Sequence, residues 1–295
     1  MSRSHFRRIA SWSSRRRVAS LAGVVVVAGF GCSANVVAEP TGSGAQRLAV
    51  VDVVLHASAA DPEGRLDASA RFVSVREPGV ADDALDLLGL TYRNVPAGSC
   101  VAVDAEAGAR PVPAVRVDLR DLSPVSIELR GEEGDGAVLP LEPRAFPDVG
   151  GLVSGVVFVA PNAKVTRSTP RAVTVTVSGA RLDELDLPDV PRVQLPAAVA
   201  SDDGTFVDAT GFDVLFPPSG VDDRLSIDVL RAGVARARCA PDASGRVRLD
   251  AASIGGAGDV VLVARDARRA VREEPAIGAV DARVARELEL KLTAR

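Results

Sequence analysis

The chain has 295 residues, of which 25% are charged and only 3% are aromatic, and it contains two histidines and three cysteines. Removing the six arginines of the first 32 residues from the 35 basic ones leaves 29 against 39 acidic residues, and this acidic balance argues against a nucleic-acid partner. His5 lies in the same segment, so His56 is the one imidazole left for the rest of the chain, which excludes a multi-histidine metal site.

The first 31 residues have the pattern of a bacterial export signal. Six arginines precede an apolar run over residues 18–30, which ends just before Cys32. A membrane-spanning helix needs about 20 apolar residues, whereas a signal peptide needs roughly 7–15. Residues 1–31 are therefore predicted to be a signal peptide.

Two cleavage sites compete at the end of this signal. The stretch Gly29-Phe30-Gly31-Cys32 resembles the lipobox of bacterial lipoproteins, which implies that Cys32 is acylated and becomes the new N-terminus. Residues 32–46 then form a flexible tether. The alternative is cleavage after Ala38, which discards Cys32 and gives a periplasmic or secreted protein. We expect the lipid anchor, and Ser33 after the cysteine favours the outer membrane over the inner one.

The segment 47–160 is predicted to be an N-terminal β domain with one short helix. The helix is expected over residues 81–88, where Asp82 and Asp83 suit its N-terminus and Gly89 ends it. Strands separated by Gly, Pro and Asp turns are predicted over 48–55, 70–76, 101–104, 114–119, 126–129, 137–141 and 151–159.

The segment 165–295 is predicted to be a β-sandwich, joined to the first domain by a linker over residues 161–164. Its clearest strand is 172–178, where apolar and hydroxyl residues alternate and predict one solvated face. Further strands are expected over 192–195, 212–216, 225–230, 234–239, 247–250, 260–264 and 285–292. Many short strands with short turns are typical of an antiparallel sandwich.

This second segment resembles the immunoglobulin-like domains of bacterial surface lipoproteins. The resemblance covers about 40 residues: a strand ending in Phe216-Pro217-Pro218, an alternating strand over 225–229, a strand ending in Cys239 and a turn at Asp242. It implies an all-β, immunoglobulin-like architecture and a location at the cell surface, and it implies no chemistry.

Cys100 and Cys239 remain once Cys32 is assigned to the lipid. In an oxidising compartment they could form one disulfide across 139 positions. Each also lies in or beside a predicted strand, where a buried free thiol is common. The sequence leaves both readings open.

No motif in the chain predicts catalysis or a cofactor. The acidic clusters at Asp202-Asp203, at Asp208 and Asp213, and at Asp222-Asp223 lack the spacing of a calcium loop, so no metal is expected. His56 is interpreted as a strand histidine, and Arg268, Arg269 and their neighbours as a solvated charged edge.

Three function classes follow. The first is a non-enzymatic, lipid-anchored envelope protein that acts as a structural or protein-interaction module, with the membrane and an unidentified protein as partners. The second is an extracytoplasmic module that binds sugar or peptide, through Tyr92 and clustered phenylalanines or at an exposed sheet edge. The third is a hydrolase that uses two carboxylates with opposed pKa values.

Overall fold

The part of the chain that the structure describes is nearly all β, with 64% of its residues in strands, as the sequence predicts. The computed structural model describes residues 45–58, 61–76, 81–90, 95–103, 115–131, 136–147, 151–165, 170–182, 184–201, 204–217 and 225–295. The leader, Cys32 and most of the predicted tether lie outside these residues. Within them are 19 strands and two short helices, α1 (Ala81–Leu87) and α2 (Ala251–Ile254). The all-β class is confirmed.

Nine strands precede residue 178. They are β1 (Gln46–Ser58), β2 (Asp61–Val75), β3 (Cys100–Ala102), β4 (Val117–Leu119), β5 (Val125–Arg130), β6 (Gly136–Pro140), β7 (Glu142–Ala145), β8 (Val153–Lys164) and β9 (Ala172–Val177).

Ten more strands follow. They are β10 (Ala180–Arg181), β11 (Leu185–Asp186), β12 (Val199–Ser201), β13 (Gly204–Val207), β14 (Gly211–Leu215), β15 (Leu225–Arg231), β16 (Val234–Cys239), β17 (Arg246–Asp250), β18 (Gly258–Glu274) and β19 (Gly278–Ala294).

Twelve of these strands form the main sheet. Its order is β3-β16-β15-β18-β19-β1-β2-β4-β8-β7, and β13, which pairs with β12, joins it at the end of β19. A second sheet has the order β10-β9-β5-β6 with β11 also on β9, and a third is the pair β14–β17. β1 pairs in parallel with β19 and antiparallel with β2. The first described strand is thereby inserted beside the last.

The longest elements are β18 and β19, a hairpin of two 17-residue strands. Its pairing runs without a break from Gly258↔Ala294 to Glu274↔Gly278. Gly278 has a φ of +105°, and a Cβ there would collide with the backbone carbonyl of Arg47 at the start of β1. Only glycine permits both this turn conformation and the close approach of β1.

Two hydrophobic cores lie on one face of this hairpin. The first contains Val280, Ala282 and Val284 of β19 with apolar residues of β1, β2, β5 and β9, so the main and second sheets pack as a sandwich. The second contains the other end of β19 and residues of β14 to β18 with Ile254 of α2. A smaller third core lies on the face of the main sheet opposite the first core, where α1 covers the ends of β2, β4 and β8.

The proposed linker at 161–164 is wrong. Those four residues are the last four of β8, and Ala163 pairs with Leu66 of β2. Polar and turn-forming residues at a strand end read like a linker in the sequence, and Asn162 does adopt a φ of +53°. Because β1 and β19 share the main sheet, a boundary between residues 160 and 165 does not separate the sheets.

Three further local predictions differ from the structure. The hydroxyl-bearing face of β9 is not solvated, since Thr174 has no exposed surface and Thr176 is only partly exposed. The strand expected over 192–195 is reduced to one bridge, Gln194↔Leu215. β18 and β19 both extend well beyond the predicted segments, because cross-strand pairing continues through charged residues.

Replacing Phe158 by alanine tests the first core. Phe158 is fully buried and meets Phe72 edge-to-face, with ring centroids 5.7 Å apart. We expect Phe158→Ala to lower the free energy of unfolding by about 3–5 kcal/mol, and Phe158→Leu to cost less than half as much. Urea denaturation followed by circular dichroism measures both. A loss under about 1 kcal/mol for the alanine variant would contradict this packing.

Candidate functional site

The structure joins Cys100 and Cys239 in a disulfide. The two residues face each other in register on the neighbouring strands β3 and β16, with their Cα atoms 4.0 Å apart. Cys239 is buried in the second core, whereas Cys100 is exposed. The bond therefore attaches the short edge strand β3 to the main sheet.

A group of charged side chains lies on the main sheet opposite the first core. The alternation of the strands explains it, because every second residue of β1 and β2 enters the core and the intervening residues face the other way. We call this group the charged face. Its members come from four adjacent strands and are Asp52, His56, Asp67, Arg71, Arg265, Arg269, Asp281, Arg283 and Glu287.

Arg283 is the centre of one half of the charged face. Its Nη2 lies 2.5 Å from Asp281 Oδ2 and donates to the backbone carbonyl of Leu90 at 2.7 Å, which connects β19 to the chain just after α1. Its Nη1 lies 3.8 Å from Asp52 Oδ1. Arg269 makes a bidentate contact with Asp281, at 2.8 and 3.1 Å. Asp281 is therefore held by two guanidinium groups.

The pKa values of the two aspartates around Arg283, Asp52 and Asp281, are shifted in opposite directions. Burial raises the pKa of Asp52, and Arg283 and Arg71, each no nearer than 3.8 Å, compensate only in part. Burial also acts to raise the pKa of Asp281, but the hydrogen bonds from Arg269 and Arg283 outweigh it and leave that pKa below its ordinary value. The pKa values of the two carboxyl groups differ because Asp281 has short hydrogen bonds to guanidinium groups and Asp52 does not.

His56 is the centre of the other half. Its Nε2 lies 2.9 Å from Asp67 Oδ2 on β2, and its Nδ1 lies 3.1 Å from Glu287 Oε2 on β19. Asp67 also accepts the backbone N–H of Asn162 at 2.6 Å, and Glu287 is bound by Arg265. Both imidazole nitrogens face carboxylates, so only the protonated ring can donate to both.

These contacts shift the pKa values of both His56 and Glu287. The hydrogen bond to Glu287 is the main cause that raises the pKa of His56, with Asp67 adding to it. Burial acts to raise the pKa of Glu287, but His56 and Arg265 outweigh it and lower that pKa. The pair is therefore stabilised in its charged form, an imidazolium beside a carboxylate.

Sequence reasoning found His56 but missed the rest of this constellation. Asp52 is one signal that was available, because it is the single charged residue inside the apolar run 48–55. The arginines expected to form a solvated edge instead supply partners, since Arg269 binds Asp281 and Arg268 lies 3.4 Å from Asp186. Residues distant in sequence meet here because β1 pairs with both β2 and β19.

The other candidate residues have structural partners. Asp213 is bound by Arg246 and Arg248, and Asp208 accepts hydrogen bonds from Thr210. Among the residues that the structure describes, no three His, Cys, Asp or Glu side chains are grouped so that they could hold a metal ion. Asp202, Asp203, Asp222 and Asp223 lie outside those residues, as does Tyr92. None of the described helices is long and apolar enough to cross a membrane.

The phenylalanines do not form an exposed platform in the part of the chain described. Phe72 and Phe158 lie in the first core and Phe212 and Phe216 in the second, and Phe146 packs partly buried against the third. The guanidinium of Arg295 lies over the ring of Phe206, 3.3 Å from its centroid. Stacking against a sugar needs several exposed aromatic faces, which these rings do not offer.

Comparison with known proteins adds no relative. No protein-family profile matches the sequence, and no characterised protein matches it significantly.

His56→Gln tests the bridge that His56 makes between β2 and β19. Because the folded state raises the His56 pKa, its stabilising contribution is complete below the ordinary value near 6.5 and is lost as the pH rises through the folded pKa. We expect the stability advantage of the wild type over His56→Gln to shrink as the pH rises from about 6 into the alkaline range. Urea denaturation across this range measures it.

Thr205→Ala is the control for this titration, because Thr205 on β13 does not titrate and pairs with Ala200, which has no ionisable side chain. Its effect on stability should be the same at every pH. An advantage of the wild type over His56→Gln that grows with rising pH would refute the bridge.

Arg283→Met tests the other half of the charged face. The substitution leaves Asp52 and Asp281 short of a counter-charge and the Leu90 carbonyl without its donor. We expect a loss of roughly 2–3 kcal/mol, below the ~3–5 kcal/mol of a fully buried pair because Asp281 keeps Arg269.

The control is Arg144→Met on β7, which removes an ion pair with Glu142 in which both side chains are more than half exposed. It should cost less than about 1 kcal/mol. Equal losses in the two variants, measured by urea denaturation, would show that the Arg283 network has no special structural role.

Proposed function

We propose that this chain is an exported protein of the bacterial cell envelope, anchored by lipid at Cys32, that works as a non-enzymatic structural or protein-interaction module. The proposal combines the leader pattern of residues 1–31 with the disulfide and the charged face. The outer membrane is the expected location, and a free periplasmic or secreted form is the alternative.

The pairing of Cys100 with Cys239 carries the export part of this proposal. The chain has three cysteines, and the two that follow the leader, 139 positions apart, meet in register on adjacent strands. Structural disulfides persist in oxidising compartments and are rare in the cytosol. An envelope location explains why both cysteines are present and paired.

The state of the ionisable groups supports a non-enzymatic role. On the charged face the carboxylates of Asp281 and Glu287 are engaged by arginines, and the imidazole of His56 is engaged on both nitrogens. A general base needs a free acceptor near its substrate, and a nucleophile must not be held by two counter-charges. The network is better suited to joining strands than to catalysis.

A peptide-binding module is the second candidate. The buried phenylalanines weigh against sugar stacking, while the uncharged edge strand of the second sheet, which has no partner on its outer side among the described residues, favours an extended peptide. The third candidate, a carboxylate-dependent hydrolase, is favoured by one observation, the opposite pKa directions of Asp52 and Asp281.

Metabolic labelling with an alkynyl palmitate analogue tests the proposal. The native full-length chain, expressed in a bacterial host, should incorporate the label and fractionate with membranes, because several buried acyl chains are enough for stable residence. Cys32→Ala should lose both the label and the membrane association.

The matched control is the double variant Cys100→Ala with Cys239→Ala, which should label like the wild type because neither thiol is the acylation site. Equal labelling of the native chain and Cys32→Ala, or labelling of neither, would refute the lipid anchor. Alkylation of Cys100 and Cys239 in intact cells without prior reduction would refute the oxidising location.

A further inference from the structure

Two consecutive strands, β6 and β7, are edge strands of the sandwich that the main and second sheets form. β6 is the last strand of the second sheet and β7 the last of the main sheet, and the chain passes between them at the buried residue Leu141. Within the described residues no strand pairs with the outer side of either. An unpaired edge exposes backbone donors and acceptors to a further strand.

The two edges are protected to different degrees. β7 has the sequence Glu-Pro-Arg-Ala, with an ion pair between Glu142 and Arg144, and such charges and prolines oppose strand addition. β6 has the sequence Gly-Ala-Val-Leu-Pro and carries no charge, and the Val138 side chain is 64% exposed at its centre. In a chain of which a quarter is charged, β6 lacks charged side chains, and its protection against strand addition is Pro140 at its end.

The ladder between β5 and β6 determines which backbone groups of β6 face outward. The N–H of Leu141 donates to the carbonyl of Val125 at 2.9 Å, in line with the β5–β6 register. In an antiparallel pair these bonds recur at every second residue. Ala137 and Leu139 therefore bond to β5, and the N–H and C=O of Val138 point to the open side.

The hydrogen bonds between β5 and β9, on the other side of β5, lead to the same assignment of the outward groups of β6. The N–H of Ser178 donates to the carbonyl of Pro124 at 2.8 Å, in line with the β5–β9 register. Even-numbered residues of β5 therefore bond to β9, and odd-numbered ones are left for β6. Pro140 has the same outward register as Val138, so its missing N–H costs no bond to β5.

The length of β6 favours a short partner segment over a second copy of this chain. Five residues of strand are about 17 Å long, so one edge-to-edge contact buries far less than the roughly 1,200–2,000 Å² of a stable interface between folded proteins. A single extended peptide is bound mainly by backbone hydrogen bonds with side-chain pockets in support, which a short edge can provide.

We propose that the outer edge of β6 binds an extended, uncharged and apolar segment of a protein partner by strand addition, with the N–H and C=O of Val138 as the central hydrogen-bonding pair. This inference deepens the proposed interaction function and rests on it for its biological role. β6 offers no counter-charge to an added strand, so the edge favours an uncharged, apolar segment. The exposed Val138 side chain provides the apolar contact.

A phage-displayed library of random heptapeptides, selected on the purified full chain, supplies the probe. We expect enrichment of uncharged sequences with alternating apolar residues, and saturable binding of the selected peptide in solution by fluorescence anisotropy. N-methylation of alternate amides in that peptide should abolish binding, because it removes the donors of one strand edge.

Val138→Pro removes the outward donor and no bond to β5, and should weaken binding by roughly tenfold or more. Val138→Thr keeps the donor and the shape and should bind within about twofold of the wild type. Should the proline variant fail to fold, Val138→Lys tests the same edge. Val199→Lys is its control, since Val199 on β12 is 65% exposed and should leave binding unchanged.

Three results would overturn the inference: a charged consensus, equal binding by Val138→Pro and the wild type, and no saturable binding. Concentration-dependent dimerisation of the chain alone, lost in Val138→Pro, would replace the peptide by a second copy. Because peptide binding is measured on purified protein and does not depend on Cys32, its failure is distinguishable from failure of the lipid anchor.

Discussion

The long hairpin of β18 and β19 is the interaction on which the rest of the structure depends. One uninterrupted ladder of 17 residue pairs joins the two strands, and β19 presents apolar side chains on one face along most of its length. Val280 and Val284 lie in the first core, and Leu292 lies in the second. Because β19 contributes to both cores and β18 contributes to the second, loss of pairing in the hairpin weakens both.

The junction of the two cores on β19 is polar. Arg286 follows Val284 on the same face and is only 5% exposed, and its guanidinium donates to the carbonyl of Pro170. Burial lowers the pKa of this arginine. A guanidinium is the cation best suited to such a position, because it is weakly hydrated and has donors in several directions. The apolar stripe of β19 is therefore interrupted once, between the cores.

The charged face is the counterpart of the first core on the other side of the same strands. Its charges are arranged so that carboxylates on β1, β2 and β19 meet arginines or the imidazole of a neighbouring strand. Partly buried ion pairs with good geometry contribute to register as well as to stability, since a one-residue slip would turn the charged side chains of a strand toward the first core. Among the carboxyl groups of the charged face, Asp52 differs from the others. Its nearest cations lie 3.8 Å away, and its pKa is raised.

The sequence by itself determined the class of the fold and the positions of most elements. Alternation predicted β1, β5 and β14 to β17 closely, and α1 was predicted to within one residue, because these are local patterns of side-chain burial and capping. The same local reading misplaced Pro161–Lys164, since a strand end rich in turn-forming residues resembles a linker until its pairing with β2 is known. Only the tertiary structure decided that β1 pairs in parallel with β19, that Cys100 meets Cys239, and that His56 lies between Asp67 and Glu287. Each of these joins residues far apart in the chain, and strand order and register depend on such non-local pairing, which period-two alternation does not encode.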